Sequence, residues 1–449
     1  MQAQAPSMQG SREALSAIHK TNHRILPFLA LMFVLAFLDR VNVGFAKEAL
    51  HVNVGIGAAA YGLGAGIFFL GYVVLEIPSN LMLHRVGARR WLARIMVSWG
   101  LVAASMAFVQ GPTSFYIVRV LLGIAEAGFF PGVILYLTYW YPNRHRSAAT
   151  GLFYWGLPLA FIIGGPLSGA LLSIDSALGL RGWQLMFIIQ GAAATAVGVW
   201  AWFYLDDKPT DATWLARNEA DALQSWIAEE ERARHTEQPL SALAALRNPR
   251  VWYFGIIYFF INLTLYGVTF WLPATVGKIV GLSSFMVGIV SALPWIAAAI
   301  GLYLVPRIAS RSGKYTQYGA LCMVVAAVGL TLAASFGPVF SVAALSLAAF
   351  GFISVLPLFW NLPTEYLSGA AAAGGIALIN SIGNLGSFTS PYFLGIVEGR
   401  TGSIHFGLYG LAVGAVICAL LIVLARQRGA RKRQNSTSGP EQTIALRSR

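Results

Sequence analysis

The sequence predicts an all-α membrane protein of twelve transmembrane helices in two six-helix halves, with both termini cytoplasmic. Three observations predict it. The 449-residue chain is 57% hydrophobic and only 11% charged, with a mean hydropathy of +0.65, whereas soluble domains carry about 25% charged residues. Apolar windows of roughly 20 residues, each long enough for a ~30 Å hydrocarbon core, recur from end to end. The lysines and arginines gather on alternate polar breaks between those windows.

The apolar spans fall near residues 26–46, 61–83, 91–110, 114–139, 148–173, 183–205, 250–275, 284–306, 316–335, 340–364, 371–397 and 405–425. Residues 1–25 form a polar segment lacking the short apolar core and small-residue cleavage site of a secretory signal, so the first span is expected to remain as a helix. The longest polar stretch, 206–249, separates an N-terminal half (26–205) from a C-terminal half (250–425), and residues 426–449 form a basic tail. Within the stretch, Leu215, Leu223, Trp226 and Ile227 recur at helical spacing. They predict an amphipathic helix on the cytoplasmic membrane surface that tethers the halves.

With the N-terminus inside, cytoplasmic segments hold 25 of the 31 basic residues, among them Arg85, Arg89, Arg90, Arg144, Arg146, Arg307, Arg311 and Lys314. The opposite segments hold Lys47, Arg181, Lys278 and Arg400. The net charge of +13 then follows from topology and attraction to anionic lipid. Spread over several loops, these residues form no single face for nucleic acid. The two cysteines, Cys322 and Cys418, lie inside apolar spans and read as buried, inert thiols.

An internal repeat accompanies the two halves. "GIGAAAYG" (55–62) and "GLSSFMVG" (281–288) open the second and eighth spans, offset by 226 residues. "GLPLAFIIGGPLSG" (156–169) and "GGIALINSIGNLGSFTSPYFLG" (374–395) supply small-residue faces on the fifth and eleventh. Two halves with Gly- and Pro-interrupted helices point to a secondary transporter whose site lies between them.

Five ionisable residues fall well inside the spans: Asp39, Arg40, Glu76, Arg119 and Glu126, all in the first half. Such groups cost about 2.5–3.5 kcal/mol each at the bilayer centre and usually face a cavity. Arg119 and Glu126 are seven residues apart, hence on one helix face about 10 Å apart. That fits a cavity wall that binds an anion and titrates nearby. Asp39 and Arg40 point about 100° apart, so Arg40 either neutralises Asp39 or reaches the substrate. Glu76, beside Pro78 and Asn80, reads as structural or gating.

The second half offers amides and aromatics instead. The 226-residue offset carries Asp39–Arg40 onto Leu265 and Tyr266; later spans offer Trp360, Asn361, Asn380 and Asn384. Such a pocket suits an organic anion, its carboxylate on Arg119 and its body against Tyr72 and Trp360. No nucleophile–base set, metal-ligand cluster or phosphate loop is present, so the expectation is no enzyme, no metal and no cofactor beyond a coupling proton. A multidrug exporter and a nutrient-sensing receptor are the competing classes.

Over about residues 24–425 the sequence resembles the major facilitator superfamily. "NLMLHRVGARR" (80–90) stands where that superfamily has Gly-x-x-x-Asp-Arg-x-Gly-Arg-Arg. Arg85, Gly87 and Arg89 match, whereas Asn80, His84 and Ala88 depart, so the usual gating acid is missing. "PRIASRSGKY" (306–315) is its reduced counterpart. "FLDRVNVGFA", "IPSNLMLHRVGARRWLARI", "RVLLGIAEAGFFPGVILYLTYWYP" and "GGIALINSIGNLGS" are similar to the anion:cation symporter family, whose bacterial members take up phthalate, tartrate, sugar acids or nicotinate with protons. The resemblance implies Asp39 and Glu126 as proton carriers and Arg119 as carboxylate anchor. It further implies Arg40, Tyr72, Trp360 and Asn380 as substrate contacts, and Arg85, Gly87 and Arg89 as a cytoplasmic gating loop. It also implies a monomeric, multi-pass protein of the bacterial inner membrane. The expected activity is proton-coupled import of an organic carboxylate by alternating access. A phthalate-like aromatic dicarboxylate leads because two arginines could line one cavity; tartrate or another hydroxy or sugar acid follows.

Overall fold

The computed structural model describes residues 8–174, 179–235, 247–366 and 370–437. Within them the chain is helical from end to end. The first half comprises α1 (Met8–Val54), α2 (Ala58–Val86), α3 (Ala88–Ser105), α4 (Pro112–Glu126), α5 (Phe129–Trp140), α6 (Asn143–Tyr154), α7 (Gly156–Leu172) and α8 (Gly182–Tyr204). α9 (Arg217–His235) lies in the polar stretch. The second half comprises α10 (Pro249–Val276), α11 (Ser284–Ser312), α12 (Tyr315–Ser335), α13 (Pro338–Tyr366), α14 (Ala370–Thr401) and α15 (His405–Thr437).

Eleven spans among the described residues are long and apolar enough to cross a membrane, with α4–α5 and α6–α7 each serving as one. The 32-residue α14 stands at the predicted eleventh position, completing twelve. Large apolar side chains such as Leu101, Ile117, Leu152, Val328 and Leu420 are exposed around the outside, which is where lipid would cover them. An even number of spans leaves both ends of the chain on one face, here the terminal face, together with α9; the other is the far face.

Two predicted spans are broken. The fourth stops at Glu126 and restarts at Phe129, with Gly128 at φ 84°. That left-handed conformation suits glycine, and a Cβ there would sit 2.3 Å from the Ser79 hydroxyl oxygen. The fifth breaks at Trp155. Breaks of this kind expose a helix end inside the bundle, and the first sets Glu126 at such an end.

The repeat is visible in the backbone. Gly55 and Gly281, and Gly87 and Gly313, all have positive φ, each pair separated by the 226 residues predicted from the sequence. The halves meet along two seams at the far face. Gly165 of α7 faces Gly288 of α11 so closely that a Cβ on either would fall within 2.5 Å of the other's carbonyl oxygen. Gly62 of α2 meets Pro391 and Gly395 of α14 in the same way. Lys47 of α1 pairs with Glu398 of α14 across the second seam, and the Trp271 indole donates to Glu398 at 2.7 Å.

The polar stretch corrects the predicted membrane-surface helix. The apolar face of α9 is buried against protein, with Leu223 fully covered and Ile227 nearly so, as is Leu215 just before the helix. Glu219 receives hydrogen bonds from Ser16 and Lys20 at 2.7 Å on the extended start of α1. Trp214 stacks on Trp140 of α5 at 5.6 Å, and the Asn143 amide donates to Glu230 at 2.8 Å. The helix is docked on the first half. Residues 236–246, and the tail beyond 437, lie outside the described residues.

Candidate functional site

A cavity lies between the halves. α1 lines it with Phe33, Phe37 and Arg40, α2 with Phe69 and Tyr72, and the α4–α5 break with Glu126 and Phe129. The second half adds Tyr258, Asn262 and Tyr266 from α10 and Asn380 and Asn384 from α14. One wall is therefore charged and the other carries hydroxyls and amides, as the sequence pattern suggested.

Arg40 is the cation at this wall. It is 9% exposed; one terminal nitrogen pairs with Glu126, and the other donates to the Tyr266 hydroxyl at 2.9 Å. Its guanidinium also lies over Phe37 at 4.7 Å and within 5.8 Å of the Tyr72 ring. Arg40 Nε and Glu126 Oε2 are buried without hydrogen-bond partners. A buried charge pair with a free donor and a free acceptor is incompletely satisfied, and the free atoms belong to residues that line the cavity.

Arg119, the expected anchor, is placed elsewhere. It is fully buried and does not line the cavity. Its guanidinium donates to the carbonyls of Gly64 at 3.1 Å and Ala65 at 3.2 Å on α2, and lies over Phe68 at 4.9 Å. Seven-residue spacing did align Arg119 with Glu126, but close packing of α2 on α4 turns the arginine into the helix interface. Asp39 also lies behind the wall, taking hydrogen bonds from Asn42 at 3.4 Å and the Trp99 indole at 3.3 Å. Arg40 is thus ion-paired with Glu126 at the cavity, while Asp39 is held behind it by the neutral donors of Asn42 and Trp99.

Tyr72 and Asn380 line the cavity as expected. Trp360 does not; its ring packs on Tyr258 at 5.1 Å, and Tyr258 forms the wall. Tyr258 and Asn262 went unmarked by the sequence, although both lie in an uncharged stretch one to two turns before Tyr266. Lys47 and Glu398 were missed because each sits near a helix end, where charge is cheap.

In the gating loop, Gly87 takes φ 96° between α2 and α3, Arg85 is exposed, and the Arg89 amide opens α3 by donating to Asp207 Oδ1 at 2.8 Å. The acid absent from the loop is therefore matched by one from the polar stretch, a carboxylate at a helix N-terminus where the backbone dipole favours it.

The sequence profile described as Major Facilitator Superfamily matches residues 29–391. The chain belongs to this superfamily of transporters. A protein of Agrobacterium vitis named for tartrate transport is 45% identical over 411 residues, 91% of each chain. A quinolone resistance transporter of Acinetobacter baumannii is 40% identical over 399 residues, 88% of this chain and 92% of that one. Among solved structures, a D-xylose-proton symporter superposes with a TM-score of 0.71 at 15% identity, covering 89% of this chain and 96% of that chain. That likeness concerns the fold. This major facilitator chain is a multi-pass membrane protein whose transporter relatives imply a small-molecule substrate.

Proposed function

We propose that this transporter is a proton-coupled importer of an organic carboxylate, working by alternating access with the terminal face cytoplasmic. The observation that carries the reading is the Arg40–Glu126 pair at the cavity wall. A guanidinium fork matches a carboxylate in geometry and charge, but here a protein carboxylate already holds it. Protonation of Glu126 removes that competitor and frees Arg40 for the substrate. The proton and the anion then occupy adjacent places, and the cavity closes over a balanced set of charges instead of an uncompensated one. Opening to the other face hydrates Glu126, which releases its proton and retakes Arg40 as the anion leaves. Asp39, held behind the wall by Asn42 and Trp99, is the second proton carrier in this scheme.

The substrate reading shifts with the geometry. An aromatic dicarboxylate was favoured by two arginines in one cavity, and Arg119 is not in it. A hydroxy acid of the tartrate type now leads: Asn262, Asn380, Asn384, Tyr258 and Tyr266 offer hydroxyl partners, and the 45% identical relative is named for tartrate. The phthalate type stands second, supported by the ring-lined floor of Phe33, Phe37 and Phe69. Export of cationic drugs fits a wall whose one cation faces the cavity less well.

Uptake of labelled tartrate and phthalate into membrane vesicles under an imposed inward proton gradient tests this. Tartrate accumulation that collapses with the gradient is expected. Accumulation indifferent to the gradient would sink proton symport, and gradient-driven expulsion would favour the exporter.

A further inference from the structure

We infer that Glu76 of α2 is a further proton-carrying residue of the transport cycle, its carboxyl group gaining and losing a proton as the α2–α14 seam closes and opens at the terminal face. The inference rests on the proton-symport reading above and adds a carrier that lies outside the Arg40–Glu126 pair and apart from Asp39.

The seam runs down both helices in order. Gly62 meets Pro391 and Gly395 near the far face, Gly66 meets Phe388 below it, and Glu76 meets Asn380 nearer the terminal face. At this last contact the Asn380 side-chain amide donates to Glu76 Oε1 at 2.7 Å. Glu76 is 8% exposed, and its Oε2 is buried with no hydrogen-bond partner. The ionisable groups facing it are the phenols of Tyr72, one turn back on its own helix, and Tyr258 of α10. α14 presents the Asn380 amide, and Glu126 at the α4–α5 break acts on the same Tyr72. Among the described residues the ion pairs formed by glutamates involve Glu126, Glu219 and Glu398, so Glu76 has no cation within pairing distance.

A carboxylate buried with one neutral donor and no cation is strongly disfavoured as an ion, so the closed seam holds Glu76 as the neutral acid. Drawing Asn380 away exposes the same group to water, where a carboxyl ionises at neutral pH. Proton affinity at Glu76 therefore differs between the two states, which is the condition for a ligand to bias a conformational equilibrium. With the cavity open to the far face, the proton enters past Tyr72 and Asn380, both of which line it. With the seam parted at the terminal face, the proton leaves there. One proton is taken up and one is released in each cycle.

The test is tartrate accumulation at static head in proteoliposomes, read beside tartrate counterflow, which needs no net proton movement. Glu76→Gln keeps an oxygen for Asn380 but cannot titrate. It is expected to support counterflow while its static-head accumulation falls about tenfold for each pH unit of gradient, the loss of one coupled proton. Glu76→Asp is expected to retain the wild-type ratio. Unchanged accumulation in Glu76→Gln would overturn the inference. Should Glu76→Gln be inactive in both assays, Glu76→Asp decides: a wild-type ratio supports the titrating role, and a ratio lowered by one proton overturns it. Wild-type accumulation that ignores the gradient would instead bring down the symport reading itself.

Discussion

Arg40 donates to the hydroxyl of Tyr266 at 2.9 Å across the two halves, and Tyr266 is its own counterpart under the 226-residue repeat. Two repeat-related positions touch only where they approach the axis that relates the halves. The first half supplies a charge at that point and the second a phenol. In the proposed cycle the substrate's anchor is shared between the parts that move, so it senses whether the halves are together.

Removing the phenol hydroxyl isolates that shared contact. A hydrogen bond to a charged group contributes about 1.5–3 kcal/mol. Tyr266→Phe is expected to weaken tartrate binding roughly tenfold or more with little change in thermal stability. Isothermal calorimetry on purified protein checks it; unchanged affinity would remove Tyr266 from the anchor.

The two arginines should separate by phenotype. Arg40→Lys loses the fork that matches a carboxylate and is expected to abolish measurable tartrate uptake in a folded protein. Arg119→Leu removes two buried hydrogen bonds from a charged group to the Gly64 and Ala65 carbonyls, about 1.5–3 kcal/mol each. It should show first as lowered melting temperature in detergent. A stable, non-binding Arg119→Leu variant would return the anchor to Arg119.

Much of this was legible in the sequence, and the rest fails for identifiable reasons. Span count, two halves and repeat offset follow from hydropathy and glycine spacing, and the structure carries them down to Gly87 and Gly313. Asp39, Arg40, Arg119 and Glu126 stand out because charge in an apolar span is rare. Their partners do not, since pairing depends on which helix packs where: α2 against α4 decides that Arg119 meets backbone carbonyls. The polar stretch misled because an apolar stripe is the same whether it covers protein or lipid, and only the Glu219–Lys20 and Trp214–Trp140 contacts distinguish the two. Asp207 carries no signal until α3 is seen to begin beside it.

The Lys47–Glu398 pair should hold the far-face seam shut. Lys47→Ala leaves Glu398 with the Trp271 indole alone and is expected to speed thiol labelling, from the far face, of a cysteine introduced at Ala58, half-buried where it meets Gly395. The charge-reversed double variant, Lys47→Glu with Glu398→Lys, should restore slow labelling. Equal labelling in all three would show that the glycine contacts alone close the seam.

Docking of α9 should depend on pH. Burial pushes the Glu219 carboxyl up, but hydrogen bonds from Lys20, Ser16 and the Ala216 amide outweigh it and hold the group below its ordinary value of 4.5. A depressed value in the folded state means that its contribution is complete above 4.5 and fades as pH falls through the lowered value. Hydrogen-exchange protection across 217–235, taken relative to the intrinsic rate at each pH, is expected to fall in that acidic window in wild type and to be low already at neutral pH in Glu219→Gln. Wild-type protection that is flat through the window would show that the Lys20 contact contributes nothing to docking.

The most direct test of the central claim is proton uptake on substrate binding, followed with a pH indicator when tartrate is added to purified protein in weak buffer. If the substrate takes Arg40 from Glu126, wild type binds with alkalinisation of the medium. Glu126→Gln, already neutral, binds with that uptake removed. Tartrate bound by wild type with no proton taken up, or with the same uptake by Glu126→Gln, would contradict the exchange of Glu126 for substrate on Arg40.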